Sequence, residues 1–313
     1  MSYTPLFDPS KFVEPPMDEG AAVGDRSERA VYHYDEEGKT VLAINVALAT
    51  RRPLLVRGPS GCGKSSLARH VARVQGWWFY EQVISSRTQA QDLLWEVDHL
   101  RRLQDAQTHR LRGGPEAYLR PGVLWWAFDR GSARRQALRS RRPGTRGAVD
   151  PGRGGPGPGA VVLLDEIDKA DPDVPNNLLV PLGSLYFQVE ETGQVVKTDP
   201  AEAPFIVLTT NDERDLPDAF LRRCVELILE PPSEAKELAD IGQKHFSGVP
   251  RERLEEIAGR VLDVAAGEVD PSPAEFLDTV RAWQRLGPDL AQEVWDDVLR
   301  VTVRKPGRLA GRA

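Results

Sequence analysis

The stretch GPSGCGKSS, residues 58–66, has the residue types and the spacing of a phosphate-binding loop. It fits the pattern G-x-x-x-x-G-K-[ST] with Gly58, Gly63, Lys64 and Ser65. Glycines let successive main-chain N–H groups turn toward an anion, and the start of a helix adds its positive dipole end. Lys64 is expected to reach the β- and γ-phosphates, and the Ser65 hydroxyl to bind Mg²⁺. The predicted phosphate-binding residues are Gly58, Pro59, Ser60, Gly61, Cys62, Gly63, Lys64, Ser65 and Ser66.

Two acids end an apolar run in AVVLLDEIDKA, residues 160–170. They would lie at the carboxyl edge of a parallel sheet, which is where ligands bind in open α/β sheets. Asp165 is predicted to hold Mg²⁺, and Glu166 to act as a base that polarises an attacking water. A hydrolase needs such a glutamate, whereas a simple kinase transfers its phosphoryl group to a bound acceptor. The alternative is that the paired acids cap a helix.

Asn211 closes another apolar run, PFIVLTTND, residues 204–212. An asparagine there can orient the attacking water between Glu166 and the γ-phosphate. Taken alone, the same residue is more often part of an Asx turn. Because the sequence lacks the Asn-Lys-x-Asp pattern that reads guanine, adenine is favoured by default and ATP is the expected nucleotide.

Arg222 and Arg223 end the stretch LPDAFLRRC, residues 216–224. Two cations at a helix C-terminus complement the helix dipole, which is a purely structural interpretation. The functional interpretation is an arginine finger that acts in trans on the γ-phosphate held by a neighbouring subunit. The position of the pair just before a predicted strand favours the finger.

The elements that must position these residues alternate between strand and helix, which predicts a parallel α/β sheet. The five predicted strands are PLLVR (53–57), WWFYEQVIS (77–85), AVVLLD (160–165), PFIVLTTND (204–212) and CVELILE (224–230). The segment FQVEETGQVV, residues 187–196, predicts a hairpin, and TQAQDLLWEVDHLRRLQD, residues 88–105, a helix.

The predicted domain organisation has three parts. Residues 1–35 form an N-terminal extension draped on a domain or partly disordered, 36–232 form the nucleotide-binding domain, and 233–313 form an all-helical lid with a C-terminal tail. Within the middle part, residues 131–159 are rich in arginine and glycine and are interpreted as a flexible basic insertion. Binding of nucleic acid by this insertion stays an alternative that is not favoured.

Composition narrows the class of protein. The formal net charge of -6 gives no general reason to expect nucleic-acid binding, and the two cysteines fit a reducing compartment better than a disulfide framework. No run approaches the roughly 18 apolar residues of a membrane span. The expected location is therefore the cytoplasm, with no membrane partner.

Together these motifs resemble those of the AAA+ ATPases, and among them the MoxR-type proteins. GPSGCGKS is similar to the family's Walker A motif, VVLLDEID to Walker B, TTND to sensor 1 and LPDAFLRRC to the arginine-finger segment. The resemblance covers about residues 25–300. It implies an αβα P-loop sandwich with a five-stranded parallel sheet, a helical lid, and a homo-oligomer, a hexameric ring that binds ATP and Mg²⁺ between subunits.

Other segments extend the resemblance or depart from it. YLRPGVLWWAF falls where the family inserts a pore-facing element, so that Trp125 and Trp126 either touch a partner or pack in the core. MoxR-type lids commonly carry an arginine, called sensor 2, just after a Ser-Pro, but DPSPAEFL has Ala274 there. Arg281, two turns further along, is a candidate substitute.

The function expected from the sequence is that of an Mg²⁺-dependent ATPase of MoxR type. Its hydrolysis cycle would remodel or activate a protein client, which the sequence does not identify, in the manner of a chaperone. Two alternatives stay open at this point. One is an ATP-dependent oligomeric switch or scaffold in a defence or signalling system, and the other is a nucleic-acid-stimulated motor.

Overall fold

The computed structural model describes residues 4–12, 31–109, 111, 113–141, 149–155, 157–265, 271–287 and 292–303. The described residues group into two compact units. The first unit consists of the described residues within 1–24, 37–57 and 68–227, and the second of those within 25–36, 58–67 and 228–313.

Helices and strands alternate through the first unit, and the second unit is helical after residue 228. The helices are α1 Lys39–Thr50, α2 Lys64–Gln75, α3 Ala90–Leu94, α4 His99–Gln107, α5 Val123–Phe128, α6 Arg130–Ser140, α7 Asp173–Ser184, α8 Asp218–Leu221, α9 Ala235–His245, α10 Arg251–Ala265, α11 Pro273–Leu286 and α12 Gln292–Thr302. The strands are β1 Leu54–Arg57, β2 Trp78–Val83, β3 Trp95–Val97, β4 Leu119–Pro121, β5 Arg153–Gly154, β6 Ala160–Asp165, β7 Tyr186–Gln188, β8 Val195–Lys197, β9 Phe205–Thr210 and β10 Val225–Ile228.

The main sheet of the described residues has six strands in the order β10-β1-β9-β6-β2-β5. β9 pairs in parallel with both β1 and β6, and β6 pairs in parallel with β2. The predicted α/β class is confirmed, and the sheet is mostly parallel with six strands, where five parallel strands were predicted. The sixth strand, β5, is antiparallel to β2 and was not predicted, because its two residues lie in a glycine-rich stretch without an apolar pattern.

The central strands are buried along nearly their whole length, as their continuous apolar runs predict. Every residue of β9 is buried, and β6 is buried up to Asp165, which is only partly exposed. The parallel pairing of β6 with β9 aligns the carboxyl ends of the two strands, after which the candidate site residues follow. In their register, Leu164 stands opposite Leu208, so the polar residues that follow each strand emerge at the same edge.

The sequence pattern predicts one helix over residues 88–105, but the structure breaks this segment up. It is divided into α3, β3 and α4, and β3 pairs antiparallel with β4. Trp95 of β3 stacks on Phe187 of the predicted hairpin, now seen as β7 and β8, with ring centroids 5.8 Å apart. Tertiary packing of a tryptophan therefore overrides a helical pattern here.

Trp125 and Trp126 of α5 belong to the core of the first unit. Trp125 is fully buried and Trp126 is 3% exposed. The Trp125 indole N–H donates to the Ser132 hydroxyl at 2.8 Å, and its ring meets Phe187 edge-on. Of the two interpretations of this tryptophan pair, the structure supports core packing.

The interpretation of 131–159 as one flexible insertion is wrong for its first third, because α6 occupies Arg130–Ser140. Asp129 caps this helix by accepting from the Ser132 N–H at 2.8 Å. Its inner face is small and polar, and Gln136 donates to the carbonyls of Glu116 and Leu119. Hydrogen bonds rather than apolar side chains hold the buried face of α6 in place. The hydropathy pattern of the sequence therefore does not reveal this helix. Residues 142–148 and 156 of the segment lie outside the described residues.

Part of the N-terminal extension is also described. Phe7 is fully buried, and the Asn45 side-chain oxygen of α1 accepts from the main-chain N–H groups of Leu6 and Phe7 at 2.6 and 2.9 Å. These bonds attach residues 6 and 7 to helix α1 of the first unit. Residues 13–30 lie outside the described residues.

Helices α9 to α12 of the second unit share their own apolar core, which includes Leu238, Leu254, Phe276, Val280 and Trp295. Among the described residues, no helix is both long enough and apolar enough to span a membrane.

Candidate functional site

The predicted phosphate loop has the main-chain geometry that the chemistry requires. Gly58, Gly61 and Gly63 have φ values of 148°, 85° and 99°, which glycine adopts readily and other residues do not. A Cβ on Gly58 would lie 2.4 Å from the Leu229 carbonyl oxygen. Glycine at this position is therefore required by both conformation and space, and α2 begins directly after the loop at Lys64.

Lys64 lies over its own loop. Its side chain is nearly buried, and Nζ donates to the carbonyl oxygens of Gly58 and Pro59 at 2.6 and 2.8 Å. The ammonium is thus held at the loop, where a phosphate group would be bound. Ser65 and Ser66 occupy the first turn of α2 and are partly exposed.

Cys62 is a packing residue of the loop. Burial raises the pKa of its thiol, although the nearby Lys64 acts in the opposite direction. A thiol with a raised pKa is a poor nucleophile at neutral pH. The Cys62 side chain therefore packs within the loop as a protonated thiol.

The N-terminus of α11 meets the loop within the second unit. The Ala274 N–H donates to the Gly61 carbonyl at 3.4 Å, and a Cβ on Gly61 would lie 2.7 Å from the hydroxyl of Ser272, the N-cap residue. Ala274, at the place of the sensor 2 arginine, is thus beside the loop but carries only a methyl group. Arg281, the candidate substitute, pairs with Asp278 at 2.8 Å and lies over the Phe246 ring.

Tyr32 is a neighbour of the loop that sequence analysis missed. Its ring would be 3.4 Å from a Cβ on Gly63, and it packs edge-on against Tyr34 at a centroid distance of 4.9 Å. Burial raises the pKa of both tyrosines. His33 lies between the two tyrosines in the sequence, and burial lowers its pKa. The available signal was three successive rings, YHY, in an otherwise proline- and acid-rich segment.

The acids after β6 are tied to β9 by a buried threonine. The Thr209 hydroxyl donates to the Asp165 carboxylate and accepts from the Glu166 N–H at 2.9 Å. Glu166 itself adopts the left-handed conformation, with φ 62° and ψ 49°. Such a conformation is uncommon outside glycine and clusters at functional sites. Glu166 occupies the N-cap position of a short 3-10 helix but makes no side-chain capping bond, so the capping alternative is not supported.

Glu166 and Asn211 face one another at this edge of the sheet. The Asn211 side-chain nitrogen lies 3.5 Å from Glu166 Oε1, and Lys169 Nζ donates to Glu166 Oε2 at 2.8 Å. That hydrogen bond raises the pKa of Lys169. The structure therefore brings together Asp165, Glu166 and Asn211, and adds a cation to the candidate base.

Asp168 supports this arrangement and was not predicted. Its side chain is 2% exposed, and its Oδ2 accepts from the main-chain N–H groups of Asn211 and Glu213 at 3.2 and 3.0 Å. A second connection comes from Arg57, whose guanidinium pairs with Asp212 at 2.9 Å. The turn that carries Asn211 is thus held from two sides.

Arg222 and Arg223 are both exposed and follow α8 directly. Arg223 Nη1 donates to the Ala219 carbonyl at 3.3 Å, which is the contact that the helix-dipole interpretation anticipates. The exposure of both side chains is equally compatible with a contact to the nucleotide of another subunit.

The donor types at the predicted metal ligands suit Mg²⁺. Ser65 offers a hydroxyl and Asp165 a carboxylate, and Mg²⁺ prefers oxygen ligands, few of them from the protein when phosphates are present. In the part of the chain that the structure describes, no three His, Cys, Asp or Glu side chains gather as a metal cage. The hydroxyl of Ser65 and the carboxylate of Asp165 fit an Mg²⁺ ion that arrives with a nucleotide.

Residues 53–224 match the family described as AAA domain, dynein-related subfamily. The match covers more than half of the 313 residues. No curated protein matches the chain.

The chain is also similar to several solved structures. A single-residue variant of RuvB from Thermotoga maritima has 16% identity and a TM-score of 0.47, over 85% of this chain and 69% of that chain. The RuvB Holliday junction branch migration motor of the same organism has 16% identity and a TM-score of 0.46, over 85% and 67%. A candidate ATPase from Cytophaga hutchinsonii has 12% identity and a TM-score of 0.42, over 83% and 78%.

Proposed function

The chain belongs to the dynein-related subfamily of AAA domains, and on that premise we propose that it is an Mg²⁺-dependent ATPase of MoxR type that remodels or activates a protein client. The observation that carries the hydrolytic assignment is the approach of Asn211 to Glu166, 3.5 Å between the amide nitrogen and Oε1. A carboxylate and an amide this close, at the carboxyl edge of a parallel sheet, can both contact one water molecule that lies beside them.

Each residue has a proposed role. The loop Gly58–Ser66 binds the phosphates through its N–H groups and Lys64. Ser65 and Asp165 are the proposed Mg²⁺ ligands, and the metal, when bound, neutralises charge that develops on the phosphates. Glu166 takes a proton from the attacking water, and Asn211 orients that water. The left-handed backbone of Glu166 supports its role, because strain of this kind persists where function requires it.

The assembly that we propose is a homo-oligomer, most simply a hexameric ring in the cytoplasm. A head-to-tail contact closes into a ring when the rotation between subunits permits. In it, Arg222 and Arg223 act on the nucleotide of a neighbouring subunit. The exposure of both side chains supports this role. Because the two arginines are adjacent, we propose the role for the pair and not for one of them.

The test is steady-state phosphate release by purified protein with ATP and Mg²⁺. Glu166→Gln should bind ATP as the wild type does and lose turnover, since the amide cannot accept the proton, whereas Lys64→Ala should weaken binding. Glu190→Gln, an exposed acid on the hairpin loop, is the matched control. Unchanged phosphate release by Glu166→Gln would remove the hydrolytic assignment.

A second candidate function is an ATP-dependent switch or scaffold, in which ATP sets assembly and turnover is incidental. The observation that favours it is Ala274, which stands beside the loop where an arginine would couple the lid to the γ-phosphate. Mass photometry with ADP and with a slowly hydrolysed ATP analogue separates the two. Assembly driven by the analogue, together with negligible steady-state hydrolysis, favours the switch.

A further inference from the structure

Three carbonyl oxygens at the arginine pair converge on one side chain. Arg52 Nη2 donates to the carbonyls of Arg222 and Cys224, both at 2.6 Å, and Arg52 Nε donates to the carbonyl of Arg223 at 3.2 Å. The partners are 170 to 172 residues away along the chain. A single guanidinium therefore binds the main chain of both arginines and of the residue that follows them.

The carbonyls at this place need a partner. They follow α8, which ends at Leu221, so the N–H groups of that helix supply no donor to them. A cation at a helix C-terminus also complements the dipole. Arg52 satisfies both requirements, and its planar fork suits several acceptors at fixed directions in a way that a lysine ammonium does not.

Arg52 is itself held in place. Arg51 has φ 55° at the end of α1, and the Arg52 N–H donates back to the Ala47 carbonyl at 3.2 Å. The next residue, Pro53, accepts from the Val225 N–H at 2.8 Å. The Arg52 backbone is therefore fixed at the end of α1. Its guanidinium contacts a segment that the hydrogen bond between Val225 and Pro53 already aligns with β1.

We propose that Arg52 is a positioning residue that orients Arg222 and Arg223 for their action on the nucleotide of a neighbouring subunit. This inference rests on the proposed function of the arginine pair. Arg52 does not touch nucleotide in this role. It fixes the backbone from which the two guanidinium groups extend, and a displacement of about 1 Å at such a group is enough to cost about 100-fold in rate.

The variant Arg52→Gln removes the fork, and Arg52→Lys keeps the charge without the fork. For Arg52→Gln we expect kcat to fall by about 10- to 100-fold while KM for ATP changes little, because binding uses the subunit's own loop. Arg52→Lys should lie between the wild type and Arg52→Gln. Arg51→Gln, at the neighbouring exposed position, is the matched control and should keep wild-type kcat.

Mixing of subunits gives the decisive readout. A Lys64→Ala subunit binds ATP weakly but presents an intact arginine pair to its neighbour. Equal mixtures of Lys64→Ala and Arg52→Gln should therefore recover about one quarter of wild-type turnover, since about one quarter of head-to-tail contacts then combine the two intact halves. Arg52→Gln mixed with the double variant Arg222→Ala/Arg223→Ala should recover nothing.

The outcomes separate this inference from the function on which it rests. Full turnover by Arg222→Ala/Arg223→Ala would remove the role of the pair and, with it, the premise. Loss of turnover in that double variant with full turnover in Arg52→Gln would overturn the positioning role alone. Failure of the Lys64→Ala mixture would also overturn it. Recovery of the mixture with the double variant would then place the effect of Arg52 in its own subunit's nucleotide site, and failure of both mixtures would show that Arg52→Gln disables the whole subunit. If circular dichroism shows that Arg52→Gln does not fold, the same mixtures made with Arg52→Lys decide between these outcomes.

Discussion

The buried carboxylate of Asp168 accepts a hydrogen bond from the main-chain N–H of Asn211, at 3.2 Å. The same oxygen accepts from Glu213 at 3.0 Å, so that one acid shapes the turn in which Asn211 stands. Asp168 lies two residues after the candidate base and is the acid of this motif that sequence analysis passed over. It links the residues after β6 to those after β9.

Asp168→Asn should disturb this turn. An amide can accept with its oxygen, but its NH₂ group then occupies a buried position that holds a carboxylate oxygen without a hydrogen-bond partner. An unsatisfied buried polar group costs about 1–3 kcal/mol. We expect a loss of that size in urea denaturation and a fall in kcat, with unchanged ATP binding. Asp171→Asn, an exposed acid three residues away, is the control, and equal behaviour of the two variants would contradict the assignment.

Gly61→Ala should impair the phosphate loop. The substitution places a Cβ 2.7 Å from the Ser272 hydroxyl and imposes φ 85° on a non-glycine residue. Gly193→Ala, in the hairpin turn, imposes φ 68° and places its Cβ 3.8 Å from the Gln188 side-chain nitrogen, so it shares the conformational cost without the clash. Titration with a fluorescent ATP analogue should show at least about tenfold weaker binding for Gly61→Ala and wild-type binding for Gly193→Ala.

Ala274→Arg should increase ATP turnover. Ala274 is exposed at the start of α11, and its N–H contacts the Gly61 carbonyl, so a long cationic side chain there can reach phosphates bound by the loop. We expect kcat to rise by up to about tenfold, the range of one added charge-assisted contact. Gln284→Arg, an exposed position on the same helix, is the control. No change in kcat would count against coupling of the lid through this position.

His245 predicts a pH dependence of stability. Burial, and to a smaller degree the charge of Arg281, lowers its pKa from 6.5 to about 4. Between these two values the unfolded chain binds a proton that the folded chain does not, so stability falls as pH drops from about 6.5 to 4 and has its full value above that window. The contribution is of the order of 1–3 kcal/mol.

The measurement is urea denaturation of the wild type and His245→Gln across this pH range. The variant lacks the titrating ring and should show a smaller loss of stability on acidification. His99→Gln, an exposed histidine on α4, is the control and should follow the wild type. Identical slopes for wild type and His245→Gln would contradict the prediction.

The exposed arginines of α6, Arg134, Arg135 and Arg139, test the nucleic-acid alternative. We expect weak binding of duplex DNA at low salt that disappears near physiological salt, because binding through a few phosphates falls steeply with salt concentration. Replacement of all three arginines by glutamine should make the dependence of log binding constant on log salt concentration less steep. The change should correspond to the loss of about three phosphate contacts. Stimulation of ATP turnover by DNA at physiological salt, lost in the triple variant, would favour the motor alternative instead.

Much of the fold and several local features of the site could be predicted from the sequence. The loop, the strands that precede each polar group, the hairpin and the α/β class depend on contiguous residues. Glycine spacing and continuous apolar runs report backbone conformation and burial directly. Helix α6 and strand β3 were missed because their stability comes from hydrogen bonds and ring packing with distant residues, such as Gln136 with Glu116 and Trp95 with Phe187.

By itself the sequence determined which side chains stand at the ends of strands, and hence the candidate roles of Asp165, Glu166 and Asn211. Only the tertiary structure decided which groups hold them. Asp168 meets Asn211 across 43 residues, and Arg52 meets the arginine pair across 170. Such pairings depend on the order and register of strands in the sheet, which bring together residues that no local pattern connects.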